Sequence, residues 1–167
     1  MSTVQYFLER PDWDFKRATD GASGFDLRCS NDADRELEPG VRFAFHTGLY
    51  LEMPIGLEAQ VRSRSGLALN HGVIVLNAPG TVDSDYRGEI LVTLINLGKT
   101  SHVIKTGDKI AQLVFAEVVL PHSGGSYVYL AATKTVRDRE FSHFRVRERA
   151  ALSQTARGDG GHGSTGR

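Results

Sequence analysis

From Leu37 onward the apolar positions of the chain fall in short runs separated by turn residues. Val41, Phe43 and Phe45 alternate with Arg42, Ala44 and His46, the two-residue period of a strand with one face on a core. Residues 57–61, 72–76, 90–96 and 110–119 continue the series. Between the runs lie Glu38-Pro39-Gly40, Asn96-Leu97-Gly98 and Thr106-Gly107-Asp108, residue types that fit tight turns through proline's fixed φ, glycine's tolerance of positive φ and Asx side chains that bond their own backbone. Many strands at such close spacing predict an all-β domain, a sandwich, jelly roll or barrel. One stretch departs from this: Leu67, Ala68 and Leu69 favour a short helix over 65–70. No internal repeat is found.

Toward the C-terminus the rhythm changes. Residues 133–154 carry six basic side chains (Lys134, Arg137, Arg139, Arg145, Arg147, Arg149) against three acidic ones (Asp138, Glu140, Glu148). Their second half, 145–154, has helix-forming composition. Residues 157–167 hold five glycines in eleven positions and no apolar side chain. Such a segment cannot pack a core of its own and is expected to be mobile with nothing bound. The expected organisation is a β core over 1–120, a basic, partly helical insert over 121–156 and a mobile arm over 157–167.

Length and charge narrow the picture. A chain of 167 residues suits one compact domain. Lys plus Arg and Asp plus Glu number 20 each, so no global field recruits nucleic acid or an anionic membrane, and any anion site must be local. The single cysteine, Cys29, excludes an internal disulfide and a cysteine-rich zinc site and reads as a small buried or half-buried apolar residue. No run approaches the roughly 18 apolar residues of a membrane span, and the first residues lack a basic stretch followed by an apolar one. A cytoplasmic protein with no membrane partner is expected.

Five polar stretches carry candidate chemistry. Ala22-Ser23-Gly24-Phe25-Asp26-Leu27-Arg28 is a turn entering a strand. Arg62-Ser63-Arg64-Ser65-Gly66 sets guanidiniums, hydroxyls and a glycine before the possible helix, which suits either phosphate oxygens or a simple N-cap with solvated arginines. Residues 77–89 (Asn-Ala-Pro-Gly-Thr-Val-Asp-Ser-Asp-Tyr-Arg-Gly-Glu) place a carboxamide, carboxylates and an aromatic ring between two β runs. A hairpin there brings Asn77, Asp83 and Tyr86 together, where a carboxylate can deprotonate a water and a Tyr ring can floor a sugar; an Asx-rich solvated turn fits the same residues. Gln112 is the lone polar residue in an apolar run, hence a core hydrogen bonder or a ligand contact. The tail, with Arg157, Ser164, Thr165 and its glycines, offers backbone amides that can wrap a polyphosphate, although its composition alone fits a disordered terminus better. His162 has no second His or Cys at ligand spacing, so a zinc site is rejected.

Together, and in this order, the five stretches resemble the motifs of the homotrimeric dUTPase family. That resemblance implies a β jelly roll that trimerises, with each active site built from three chains. It further implies hydrolysis of dUTP to dUMP and pyrophosphate by water attack on the α-phosphorus with Mg²⁺, which limits uracil in DNA and supplies dUMP for dTMP synthesis. By position, Asp83 resembles the catalytic aspartate and Tyr86 the residue that packs on deoxyribose and excludes a 2′-hydroxyl. Asn77, with Gly80, Thr81 and Val82 of the hairpin, resembles the element that reads the uracil edge, and Leu91 joins the substrate-binding set. Arg64, Ser65, Gly66 and Gln112 resemble phosphate contacts, Asp26 the acidic residue near Mg²⁺ acting through water, and Arg157, Gly163, Ser164 and Thr165 the arm that closes over the triphosphate. His162 stands where the family usually carries Phe. The link from Val119 to Arg157 is longer than the family usually needs, and it holds the basic segment. That insert reads as a surface embellishment, with a partner for it left open and no nucleic acid expected. Two other functions are compatible with such a chain: a dCTP deaminase on the same fold, and a non-enzymatic nucleotide sensor or interaction module.

An imidazole has a flat face, so His162 is expected to stack on the base. Base–aromatic stacking contributes about 1–3 kcal/mol. His162→Phe should keep most of the kcat/KM for dUTP and His162→Ala should lose roughly ten- to a hundredfold, read by pyrophosphate release; equal behaviour of the two variants would end the stacking role.

Overall fold

The computed structural model describes residues 3–118, 120–121, 127–128 and 145–155. In chain order the elements are β1 (Thr3–Leu8), β2 (Phe25–Arg28), β3 (Arg35–Leu37), β4 (Arg42–Phe45), β5 (Leu49–Glu52), β6 (Leu57–Arg62), α1 (Ser65–His71), β7 (Val73–Val75), β8 (Gly80–Val82), β9 (Val92–Asn96), β10 (His102–Ile104), β11 (Lys109–Glu117), β12 (Leu120–Pro121), β13 (Tyr127–Val128) and β14 (Arg145–Glu148). The fold is all-β with one short helix, as the alternation predicts. Among the described residues no helix is long and apolar enough to cross a membrane.

Three small sheets build the body, in the orders β2-β11-β6-β8, β4-β9-β7 and β14-β1-β5, with β10-β3 and β12-β13 as two-stranded additions. Period-two patterning explains what they bury. Val92 and Leu94 of β9 and Leu49 and Leu51 of β5 are buried while the residues between them are only half-covered. Phe45, Leu27, Leu37, Leu94, Ile104, Ile110 and Leu113 are among the fully buried side chains of a single core. Aromatic rings tie the first segment to it: Phe15 stacks on Phe25 at 4.7 Å, Tyr6 meets Phe15 edge-on at 5.2 Å, and Phe25 meets Phe115 at 5.5 Å. Cys29 is buried, as expected, and burial pushes its thiol pKa up.

Helix α1 ends at Gly72, whose φ of 69° is a left-handed turn that glycine adopts without strain. A side chain there would also meet Gly98 N at 2.5 Å, because Leu97 N donates to Gly72 O at 2.9 Å and draws the two loops together.

The helix expected over 145–154 is corrected by the structure. Residues Arg145–Glu148 form β14, parallel to β1 with Thr3 opposite Arg145 and Tyr6 opposite Glu148, and 149–155 continues without helix. Helix propensity is a few tenths of a kcal/mol per residue. The open edge of β1 offers a row of backbone partners to this segment, and Arg149 N extends the ladder to Tyr6 O at 2.7 Å.

Asn96 is fully buried at the end of β9. Its Nδ2 donates to Leu37 O and Thr100 O, both at 2.8 Å, and its Oδ1 accepts from Gly98 N at 2.8 Å. Asn96→Ala would leave those three backbone groups without this partner, and a loss of about 2–3 kcal/mol is expected, measured by urea unfolding.

Candidate active site

The sheet β2-β11-β6 lines up one row of polar residues: Gln112 stands between Asp26 on one neighbour and Arg62 on the other. Just past β6, Ser63 is held from two sides. Its Oγ accepts from Val75 N at 2.9 Å, and its carbonyl accepts from Gln112 Nε2 at 3.0 Å. With Ser63 held, Arg64 is aimed back across the sheet, where its guanidinium donates to Asp26. Lys109 Nζ lies 2.7 Å from the other Asp26 oxygen. A half-buried carboxylate thus sits between two cations, with Gln112 alongside. Gly24 faces Gln112 so closely that any Cβ would overlap its carboxamide oxygen. Ser65 and Gly66 open α1, are exposed, and no side chain caps the helix start at Arg64.

On the other side of β6, strand β8 pairs Gly80 with Val61 and Thr81 with Gln60. No hairpin forms over 77–89, since β8 pairs with β6 and β9 with β4 and β7; the loop beyond β8 instead closes a pocket of about 190 Å³. Asn77, Gly80, Thr81, Val82, Asp83, Tyr86 and Leu91 all line it, with Val61, Glu89 and Ile90; Arg64, Gln112 and Asp26 do not. The Ala78–Pro79 bond is cis. Gly80 is buried against Asn77, whose Nδ2 lies 3.1 Å from where a Cβ would stand. Tyr86 is pinned at both ends: its N–H donates to Asp83 O at 3.1 Å and its hydroxyl to Glu89 O at 2.9 Å.

A third group of contacts joins the C-terminal segment to this loop and to β5. Ser153 N donates to Glu52 Oε2 at 2.9 Å, Arg87 Nε donates to Ser153 O at 3.1 Å, and Thr155 Oγ1 donates to Asp85 O at 2.7 Å. Arg157, His162, Gly163, Ser164 and Thr165 lie outside the described residues.

Several residues of consequence carry no signal of their own in the sequence: Ser63, Arg87, Glu89 and Lys109, which lie inside the motif stretches, and Glu52, which lies outside them. Their importance comes from partners far along the chain, such as Thr47 and Gly48 for Glu89, and no motif marks those. For metal binding, the described residues contain no group of three or more His, Cys, Asp or Glu side chains. Asp26, one carboxylate already facing two cations, is the donor present at the basic cluster.

The strands and one short helix, with a polar pocket that holds a carboxylate and an aromatic ring, define an all-β protein of the kind the sequence resembles. The chain belongs to the dUTPase family: the family's model matches residues 13–143. It is similar to the deoxyuridine 5'-triphosphate nucleotidohydrolase of Brucella melitensis, 47% identical over 150 residues, covering 89% of this chain and 81% of that one. The enzyme of the same name from Rhizobium etli is 48% identical over 148 residues, covering 87% and 80%. Among solved structures, the dUTPase of Streptococcus mutans superposes with a TM-score of 0.62 at 25% identity, covering 70% of this chain and 97% of that one. A mutant dUTPase from phage phi11 of S. aureus, described for its coordination of a structural Mg(II) ion, gives 0.64 at 20% identity, covering 72% and 94%.

The Ser153 amide holds the Glu52 carboxyl below its usual range, with Arg87 and Arg149 adding to the effect. A carboxylate with a lowered folded pKa contributes stability that is present above its ordinary value and is lost as pH falls through the lowered one. The stability advantage of the native protein over Glu52→Ala should therefore be full near neutrality and shrink below about pH 4.5, checked by denaturant unfolding across pH. An advantage that grows on acidification would contradict the assignment.

Proposed function

We propose that the chain hydrolyses dUTP to dUMP and pyrophosphate. The observation that carries this is the single pocket into which Asn77, Asp83 and Tyr86 converge, in a member of the dUTPase family. Asn77 and the backbone of Gly80–Val82 take the uracil edge, with no room for a 5-methyl group. The Tyr86 ring walls the deoxyribose, and Leu91 completes the apolar side. Asp83 orients a water and takes its proton as the oxygen attacks the α-phosphorus. The bond to the bridging oxygen then breaks, and pyrophosphate leaves. A positioned base of this kind contributes about 10²–10⁴-fold.

Arg64 and Gln112, with Ser65 and Gly66, receive the phosphates. Arg64 exchanges its bond to Asp26 for one to a phosphate oxygen, a pairing its planar fork suits. The donor set fits Mg²⁺ in one way only. A lone carboxylate facing two cations cannot make a protein cage, but Mg²⁺ keeps its waters and takes most ligands from phosphates, so Asp26 would hold it through water. When bound, the ion neutralises charge on the pyrophosphate leaving group. The arm, with Arg157, His162, Gly163, Ser164 and Thr165, closes over the nucleotide and excludes bulk water.

A homotrimer with sites shared between chains belongs to this reading. A cytoplasmic setting and the supply of dUMP for dTMP synthesis complete it. No observation favours a deaminase or a non-enzymatic sensor.

Pyrophosphate release from dUTP, dTTP, dCTP and UTP is the test. The kcat/KM for dUTP should exceed that for dTTP and for UTP by at least about tenfold, and Asp83→Asn should lose about 10²–10⁴-fold in kcat while still binding dUTP. Ammonia release from dCTP would replace this reading with the deaminase.

A further inference from the structure

Tyr86 can act as a wall only if its ring does not move, and its hydroxyl rests on one peptide carbonyl, that of Glu89. That peptide is gripped from the other side. Glu89 Oε1 accepts from Thr47 N at 2.9 Å and Gly48 N at 2.7 Å, and Oε2 lies 2.7 Å from His46 Nδ1. The next residue is held by the same turn: Thr47 Oγ1 donates to Ile90 O at 2.6 Å, and Ile90 N donates to Leu49 O at 2.8 Å. Gly48 sits at a φ of 62°, in the left-handed region, and its carbonyl accepts from Glu9 N at 2.9 Å, so the turn is itself anchored to the end of β1. Gly88 leaves no slack, since any Cβ there would collide with the Tyr86 ring.

The Glu89 side chain is only 17% exposed, with both oxygens in these bonds. An ionised acceptor shared by two backbone amides in a half-dry setting is among the stronger hydrogen-bonded arrangements. Although Glu89 lines the pocket, its carboxylate is directed to structure. We propose that Glu89 is a positioning residue: its carboxylate, fastened to the 46–48 turn, fixes the Tyr86 ring and through it the discrimination between deoxyribose and ribose. This rests on the reading of Tyr86 as the sugar wall. A clamp with a purely structural role would lower stability without touching that discrimination.

The experiment measures kcat/KM for dUTP and for UTP on the full chain and on Glu89→Gln, Glu89→Asp and Glu89→Met, each with its melting temperature. In Glu89→Gln the amide oxygen still accepts both backbone N–H groups, and the amide nitrogen can donate to a neutral His46, so the dUTP/UTP ratio should stay within about twofold of native. Glu89→Met keeps volume without an acceptor and should lose about tenfold or more of the ratio, mainly through a raised KM for dUTP and a relative gain for UTP. Glu89→Asp stays charged and withdraws the carboxylate by one methylene; it should fall between, and it carries the test if Glu89→Met does not fold. A native ratio in Glu89→Asp and Glu89→Met alongside lowered melting temperatures would overturn the inference. So would a loss in Glu89→Gln equal to that in Glu89→Met, since charge and not acceptor geometry would then matter. A native protein that turns over dUTP and UTP equally removes the sugar-wall reading itself and this inference with it, a result separable from the other two because it appears before any substitution is made.

Discussion

Six consecutive pairs between β6 and β11, from Gln112 opposite Arg62 to Glu117 opposite Leu57, hold the molecule in one arrangement. A slip of one residue would turn Leu113, Val61 and Ala59 out of the core and carry Gln112 to the opposite face. The same register delivers Ser63 to Gln112, and Ser63 in turn aims Arg64. Core and site are thus set by one ladder, and neither can be changed without the other. At its far end β11 shifts register against β2 between Lys109 and Ala111. That irregularity lets Ile110 and Ala111 both be buried in succession while Lys109 turns to Asp26.

The charges follow a consistent logic. Arg64 is not left waiting in water; it is ordered on Asp26 before any anion arrives. Preorganisation of this kind removes part of the entropic cost of binding, and it gives up part of the Coulombic gain because Asp26 must be displaced. Under the proposed function, Lys109 would keep Asp26 compensated while Arg64 turns to a phosphate. That exchange would favour a ligand bringing several negative charges.

Much of this was legible in the chain. The alternation at 41–46 and 57–61 marks strands, the Leu67-Ala68-Leu69 run marks the helix, and the clustering of Asn77, Asp83 and Tyr86 within ten residues brings them to one pocket. These are local signals, and the local chain suffices to read them. What was hidden is nonlocal. Glu89 looks like the end of a motif, and its partners lie some forty residues earlier. Segment 145–154 has the composition of a helix, and the free edge of β1 makes its first four residues a strand. The pairing of Arg64 with Asp26 depends on which strands are neighbours, which charge and spacing do not reveal.

The parallel pairing of β1 with β14 has a consequence for how the protein is made. The parallel partner of residues 3–8 lies 142 residues later in the chain, Thr3 opposite Arg145. Until residues 145–148 are in place, one side of β1 can pair with β5 while the other presents unsatisfied backbone groups. An exposed edge of this sort is a template for wrong partners, and pairing over so long a stretch of chain closes slowly. Chains that lack residues 145–148 therefore leave a sticky edge on β1, and its protection waits for β14.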